Sequence, residues 1–147
     1  MKQSFKTCNV FRRSQSLFTF GVLNTPYGGI TVPPASKLPS ATTALELGQT
    51  IMRTLDGLPN QVTEVNLATA RQPYLAYLKA SGFKSSAAFE RGASLVGVHF
   101  DGELYEVAAH QKDEHGAFVA ESPIKLARDS SAEEIGKSVL AAFDAVR

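Results

Sequence analysis

The residues best equipped for chemistry are three histidines, and two of them stand near acids. His110 and His115 lie five apart, with Asp113 and Glu114 between them. A metal centre wants two or three imidazoles plus carboxylates at compatible geometry. A loop carrying His110, Asp113 and His115 would serve a small metal-dependent hydrolase or nuclease, but a solvated turn is the plainer reading. His99 falls mid-strand on the side opposite Val98, which reads as a surface position. Glu103 and Glu106 fall on opposite faces of an extended segment, so local geometry does not pair them as acid and base. Gly28-Gly29 lacks the spacing of a phosphate loop, and no helix begins directly after it. The serines form no nucleophile elbow, and Cys8 in a strand reads as a small buried hydrophobe. Arg12-Arg13, near Phe11 and Phe18, would suit stacking on RNA, although a charged hairpin tip is the commoner cause of such a pair. The sequence therefore predicts no catalytic residue, no metal site and no cofactor.

Composition narrows the class further. At 147 residues the chain reads as one domain over 1–147, long enough to bury about two-thirds of its unfolded surface. Fifteen basic and fourteen acidic residues leave a net charge of +1, not the footprint of a nucleic-acid binder. One cysteine excludes an internal disulfide and any multi-cysteine metal site, and fits a reducing compartment. The first residues lack the apolar core of a signal peptide, and no apolar run approaches a membrane span. A cytoplasmic protein is expected.

The elements that would position these residues centre on 94–100 and 103–109, two runs rich in β-branched and aromatic residues around Asp101-Gly102. Asp followed by Gly suits a two-residue type I′ turn. Val96, Val98 and Phe100 read as the core face of the first arm, in the middle of an antiparallel sheet. An N-terminal hairpin is expected from 5–11 and 16–23. Residues 24–39 carry Pro26, Gly28, Gly29, Pro33, Pro34 and Pro39 in close succession, which forbids a helix and any central strand. Only 29–32 would add a short edge strand, and the remainder reads as a loop, a candidate lid for a small ligand.

Thr43 and Glu46 fit a capping box for a helix over 43–55, closed by Gly57. Residues 62–67 read as weakly extended. A helix over 69–80 tolerates Pro73 in its first turn and ends at Gly82; a short helix over 85–91 stops at Gly92. After a polar turn, 117–120 and 124–126 read as strand interrupted by Pro123. A last helix begins at Ser130 or Ser131, with Glu133 and Glu134 suited to its dipole and Ile135, Val139, Leu140, Phe143 and Val146 as its apolar stripe. Strands in runs rather than βαβ alternation give the α+β class: mainly antiparallel sheet from two hairpins, with three to four helices packed on it. Side chains placed to reach a partner are Asp101, Glu103, Lys112, Asp113, Glu114 and His115 on turns, and Tyr27 as a loop aromatic.

From Tyr74-Leu75-Ala76-Tyr77-Leu78-Lys79-Ala80-Ser81-Gly82-Phe83-Lys84-Ser85-Ser86-Ala87-Ala88-Phe89 onward, the chain resembles the immunity proteins of contact-dependent growth inhibition. The likeness is an order of features: a helix ending in glycine, a small helix carrying "K-S-x-x-A-F", a strand pair, a third strand at Glu114-His115-Gly116-Ala117-Phe118, and a final amphipathic helix over 131–146. The resemblance implies a bacterial cytoplasmic antidote that blocks the C-terminal toxin domain, often a nuclease, of a cell-surface delivery protein. It implies no enzymatic activity, and it fixes no contacting positions. Inhibitors of basic nucleases are commonly acidic for steering, and this chain is nearly neutral.

Overall fold

The computed structural model describes residues 6–25, 28–58 and 67–145. Seven strands form one antiparallel sheet in the order β3-β2-β1-β4-β5-β6, with β7 also paired to β5. The strands are β1 (Lys6–Arg13), β2 (Ser16–Thr25), β3 (Gly28–Pro39), β4 (Ser94–Phe100), β5 (Leu104–Lys112), β6 (Phe118–Ala120) and β7 (Ile124–Ala127). The helices are α1 (Ala44–Asp56), α2 (Leu67–Ala80), α3 (Ser86–Arg91) and α4 (Ala132–Ala145). This is the expected α+β architecture, with β1 and β4 at the sheet's centre.

Helices cover both faces of this sheet, so its central strands bury both faces rather than alternating in and out. On one face α1 and α4 pack Leu47, Ile51, Leu55, Ile135, Val139 and Phe143 against Cys8, Val10, Val96, Val98 and Val107. On the other, α2 and α3 bring Tyr74, Leu78 and Phe89 onto Phe11, Phe18, Phe20 and Leu95. The expectation of a single core face in β4 is corrected: Leu95 is buried in the second core as Val96 is in the first. Long apolar runs in β1, β2 and β4 are the sequence counterpart of this double coverage.

The two helices on the first face touch through glycine. A Cβ on Gly48 would collide with the Ala132 carbonyl, and one on Gly136 would collide with that of Ala44. An Ala-x-x-x-Gly pair on each helix thus sets an antiparallel backbone-to-backbone crossing. Thr43 caps α1 by accepting from the Glu46 amide, as expected; the Glu46 carboxylate accepts from the Thr42 hydroxyl at 3.0 Å. Ser131 caps α4 through the Glu134 amide at 3.1 Å. Leu78 to Phe83 closes α2 in a Schellman motif, with the Phe83 amide on the Leu78 carbonyl and Gly82 at φ 95°.

Three local expectations are corrected. The short edge strand expected at 29–32 is present but extends over Gly28–Pro39, where the sequence reads as a loop beyond residue 32; only the residues around Pro33-Pro34, a cis bond, bulge out of register. An edge strand tolerates prolines because its outer amides need no partner. The β4–β5 turn centres on Gly102-Glu103 rather than Asp101-Gly102. Gly102 carries the positive φ, and the Asp101 carboxylate accepts from the amides of Glu103 and Leu104. Pro73 stands in the second turn of α2, because that helix starts earlier than expected. Residues 62–66 and the positions of Phe5, Tyr27 and Val146 lie outside the described residues.

Candidate functional site

The residues expected to meet a partner fall at two ends of the sheet. Asp101 and Glu103 sit on the β4–β5 turn; Lys112, Asp113, Glu114 and His115 sit at the β5–β6 turn. The full length of β5 separates them, about 25–30 Å at the usual rise per residue. Tyr27 lies outside the described residues. The seven positions therefore make no single patch, although Lys112 to His115 remain together on one turn.

The alternative trio of His110, Asp113 and His115 does not converge on a metal site. The Asp113 carboxylate accepts from the amides of His115 and Ala117 at 2.8 and 2.9 Å, so it serves as the turn's cap. His115 projects into solvent beside Glu114, 3.5 Å away. His110 points onto the sheet, where its Nδ1 bonds the Ala108 carbonyl oxygen at 3.1 Å. Among the described residues no three His, Cys, Asp or Glu side chains are grouped to hold a metal ion. Arg12 and Arg13 are not a free tip. Arg12 donates to the Phe143 carbonyl at the end of α4 and lies over that ring, while Arg13 lies over Phe83.

What the topology does assemble is a polar trough on the α2–α3 face, beyond the aromatic core. Register places Thr7, His99, Glu106 and Lys125 in one row across β1, β4, β5 and β7. The next row holds Asn9, Gly97 and Ala108. His99 Nδ1 and the Thr7 hydroxyl are 2.7 Å apart. Without a Cβ, Gly97 lets polar side chains close over it: a Cβ there would meet His110 Cε1 at 3.2 Å, Asn9 Oδ1 at 3.4 Å and His99 Nε2 at 3.5 Å. His99 is therefore half-buried in a polar row, which corrects its expected surface placement. Burial lowers the pKa of His99, partly offset by the facing Glu106 carboxylate. Burial likewise lowers that of His110, with the Ala108 carbonyl opposing. Both rings are held toward the neutral form, so they add hydrogen-bonding groups rather than charge beside Glu106 and Lys125.

Where the trough meets α3, it opens into a cavity of about 280 Å³ lined by residues 91–94, 110–112 and Phe118. Lys112 Nζ donates to the carbonyls of Glu90 and Arg91 at 2.8 and 2.6 Å and lies 5.3 Å from the centre of the Phe118 ring. The ammonium thus closes the C-terminus of α3 and stays at the cavity's edge. Thr7, Asn9, Gly97 and Arg91 are not legible in the sequence as site residues. Their adjacency needs the pairing of β1 with β4, which β2, β3 and three helices separate along the chain.

The fold has known counterparts. Across its whole length the chain superposes on a protein of unknown function from Neisseria meningitidis with a TM-score of 0.80, at 17% identity and 98% coverage of that chain. It also superposes on a chain of the CdiA-CT/CdiI toxin and immunity complex from Yersinia pseudotuberculosis, with a TM-score of 0.74 at 10% identity. That match spans 97% of this chain and 98% of the other. This chain has the fold found in a toxin–immunity complex. No family model and no curated protein sequence matches it. Among the described residues no helix is long and apolar enough to cross a membrane.

Proposed function

We propose that this protein is an immunity protein: it binds the C-terminal toxin domain of a contact-dependent growth inhibition effector and keeps substrate out of the toxin's active site. The observation that carries the reading is the full-length likeness to a chain of a toxin–immunity complex. The sequence pattern from Tyr74 onward points the same way. Neutralisation by occlusion asks for a rigid surface and no chemistry from this chain, so it would act in the cytoplasm without a cofactor.

The toxin-facing surface is proposed at the β5–β6 end. Lys112, Asp113, Glu114 and His115 are exposed there beside the cavity, on a turn fixed by the Asp113 carboxylate and by Gly116 at φ 82°. A preformed turn loses less conformational freedom on binding than a floppy one. Asp101 and Glu103 belong to the far end and would lie outside the footprint.

The test is co-purification of the full chain with a catalytically disabled C-terminal domain encoded by the adjacent upstream reading frame. A stable one-to-one complex at submicromolar concentration is expected. A chain that elutes alone, with the partner folded, contradicts the reading.

A further inference from the structure

We infer that the cavity between α3, β4 and β5 is a receptor for a carboxylate side chain presented by an acidic segment of a protein partner. Its size sets the scale. At about 280 Å³ it falls just below the roughly 300–1,000 Å³ of drug-sized ligand sites, and suits one inserted side chain. Its charge sets the sign. Arg91 and Lys112 line it, and the Arg13 guanidinium lies against the lining residue Gly92, where a side chain would collide with it. The acid beside them is Glu90, whose carboxyl is pushed up by burial against the pull of Arg71 and Lys112. Among the described residues that line it, two are cations and none is an acid; Arg13 stands against Gly92, and burial discourages the neighbouring Glu90 from ionising.

The cations are also held in place, which favours recognition over mere solvation. Two of the three Lys112 donors are fixed on the α3 carbonyls, leaving the third for a ligand. Arg13 is stacked over Phe83 at 5.0 Å, and its buried Nε–H finds no acceptor among the described residues. Buried donors of this kind are normally satisfied, and an anion or an ordered water supplies what the chain does not. His110 adds an imidazole that burial holds toward neutrality, so it contributes a hydrogen bond without further charge.

A carboxylate is favoured over a nucleic-acid strand by the absence of a stacking surface among the described residues of the cavity. Single strands are read by bases laid on exposed aromatic faces. The cavity's aromatic is Phe118, which is overlain by the Lys112 ammonium and meets Phe11 edge-on. The inference rests on the immunity reading and deepens it by naming what the toxin would present, and it resolves a tension within it. A nearly neutral chain needs no acidic surface if its partner brings the acid.

The test uses the full chain and no toxin, so its failure is distinct from failure of the immunity reading. Amide NMR shifts are followed on addition of a short glutamate-rich peptide and, separately, of oligouridine. Saturable shifts centred on Gly92, Ala93, Ser94 and Lys112 are expected from the peptide. Arg91→Glu, at an exposed position, should weaken that binding by about tenfold or more, the worth of one charge-assisted hydrogen bond. Lys137→Glu, exposed on α4 at the opposite face of the sheet, should leave it unchanged. Shifts scattered over all surface lysines, equal weakening by both variants, or tighter binding of oligouridine at the same amides would each overturn the inference.

Discussion

On the α1–α4 face, two glycines let helix backbones touch, and the core beneath is mostly aliphatic and closed by the helix pair. On the α2–α3 face, one end is locked by aromatic rings meeting edge to face around Phe89, while the rest opens into a polar trough and a basic cavity. The first face spends its residues on stability. The second divides them between a core and an open polar surface. Both are built on the same strands, whose alternating side chains serve one face each. A sheet with helices on both sides can thus still leave a polar, open region at one end of a face.

The comparison breaks most visibly at Phe89. This ring is fully buried and meets Phe11, Phe18 and Phe83 at 5.0–5.1 Å. Phe89→Ala should cost about 3–5 kcal/mol, read as a lowered urea midpoint, because no neighbouring chain can fill the space. If the loss is under about 1 kcal/mol, the aromatic end is not a core at all.

Next comes the glycine crossing. Gly136→Ala puts a methyl into the Ala44 carbonyl, which must move with its helix. About 1–3 kcal/mol should be lost. Binding at the opposite face should be unchanged, so measuring both in one variant separates the two faces. Ser131→Ala removes the α4 cap and should cost about 1 kcal/mol.

Protonation distinguishes the faces in another way. The folded pKa values of His99 and His110 are lowered from 6.5, so the folded state favours their neutral forms. The unfolded chain then binds more protons below that pH. Their contribution is complete above pH 6.5 and is lost as pH falls through the folded values. Denaturation at about pH 8 and about pH 5 should show this loss, and the double variant His99→Gln/His110→Gln should flatten it. On the other face the Cys8 thiol, pushed up to about 12 by burial, should resist alkylation until the chain unfolds. Alkylation at the rate of a free thiol under native conditions would mean that this core opens locally.

The helix ends and most strand positions are legible in the sequence because their causes are local. Thr43, Ser131, Gly82 and Gly92 punctuate the chain through side-chain caps and backbone conformation, and each does so within a few residues. Most of the edge strand Gly28–Pro39 reads as a loop because proline density excludes a central strand and a helix, yet an edge with a bulge satisfies the same constraint. The trough is not legible at all. Thr7 and His99 are ninety-two residues apart, and nothing local sets the register that brings them within 2.7 Å. His110 stands out in the sequence for its neighbours Asp113 and His115, whereas its neighbours in space are Asn9 and Gly97.

The most direct test is hydrogen exchange on the full chain, alone and with the disabled toxin domain. Protection should appear over residues 90–94 and 110–118, with α1 and α4 unchanged beyond any global stabilisation. A footprint on α1 and α4, or none at saturating partner, would contradict the account.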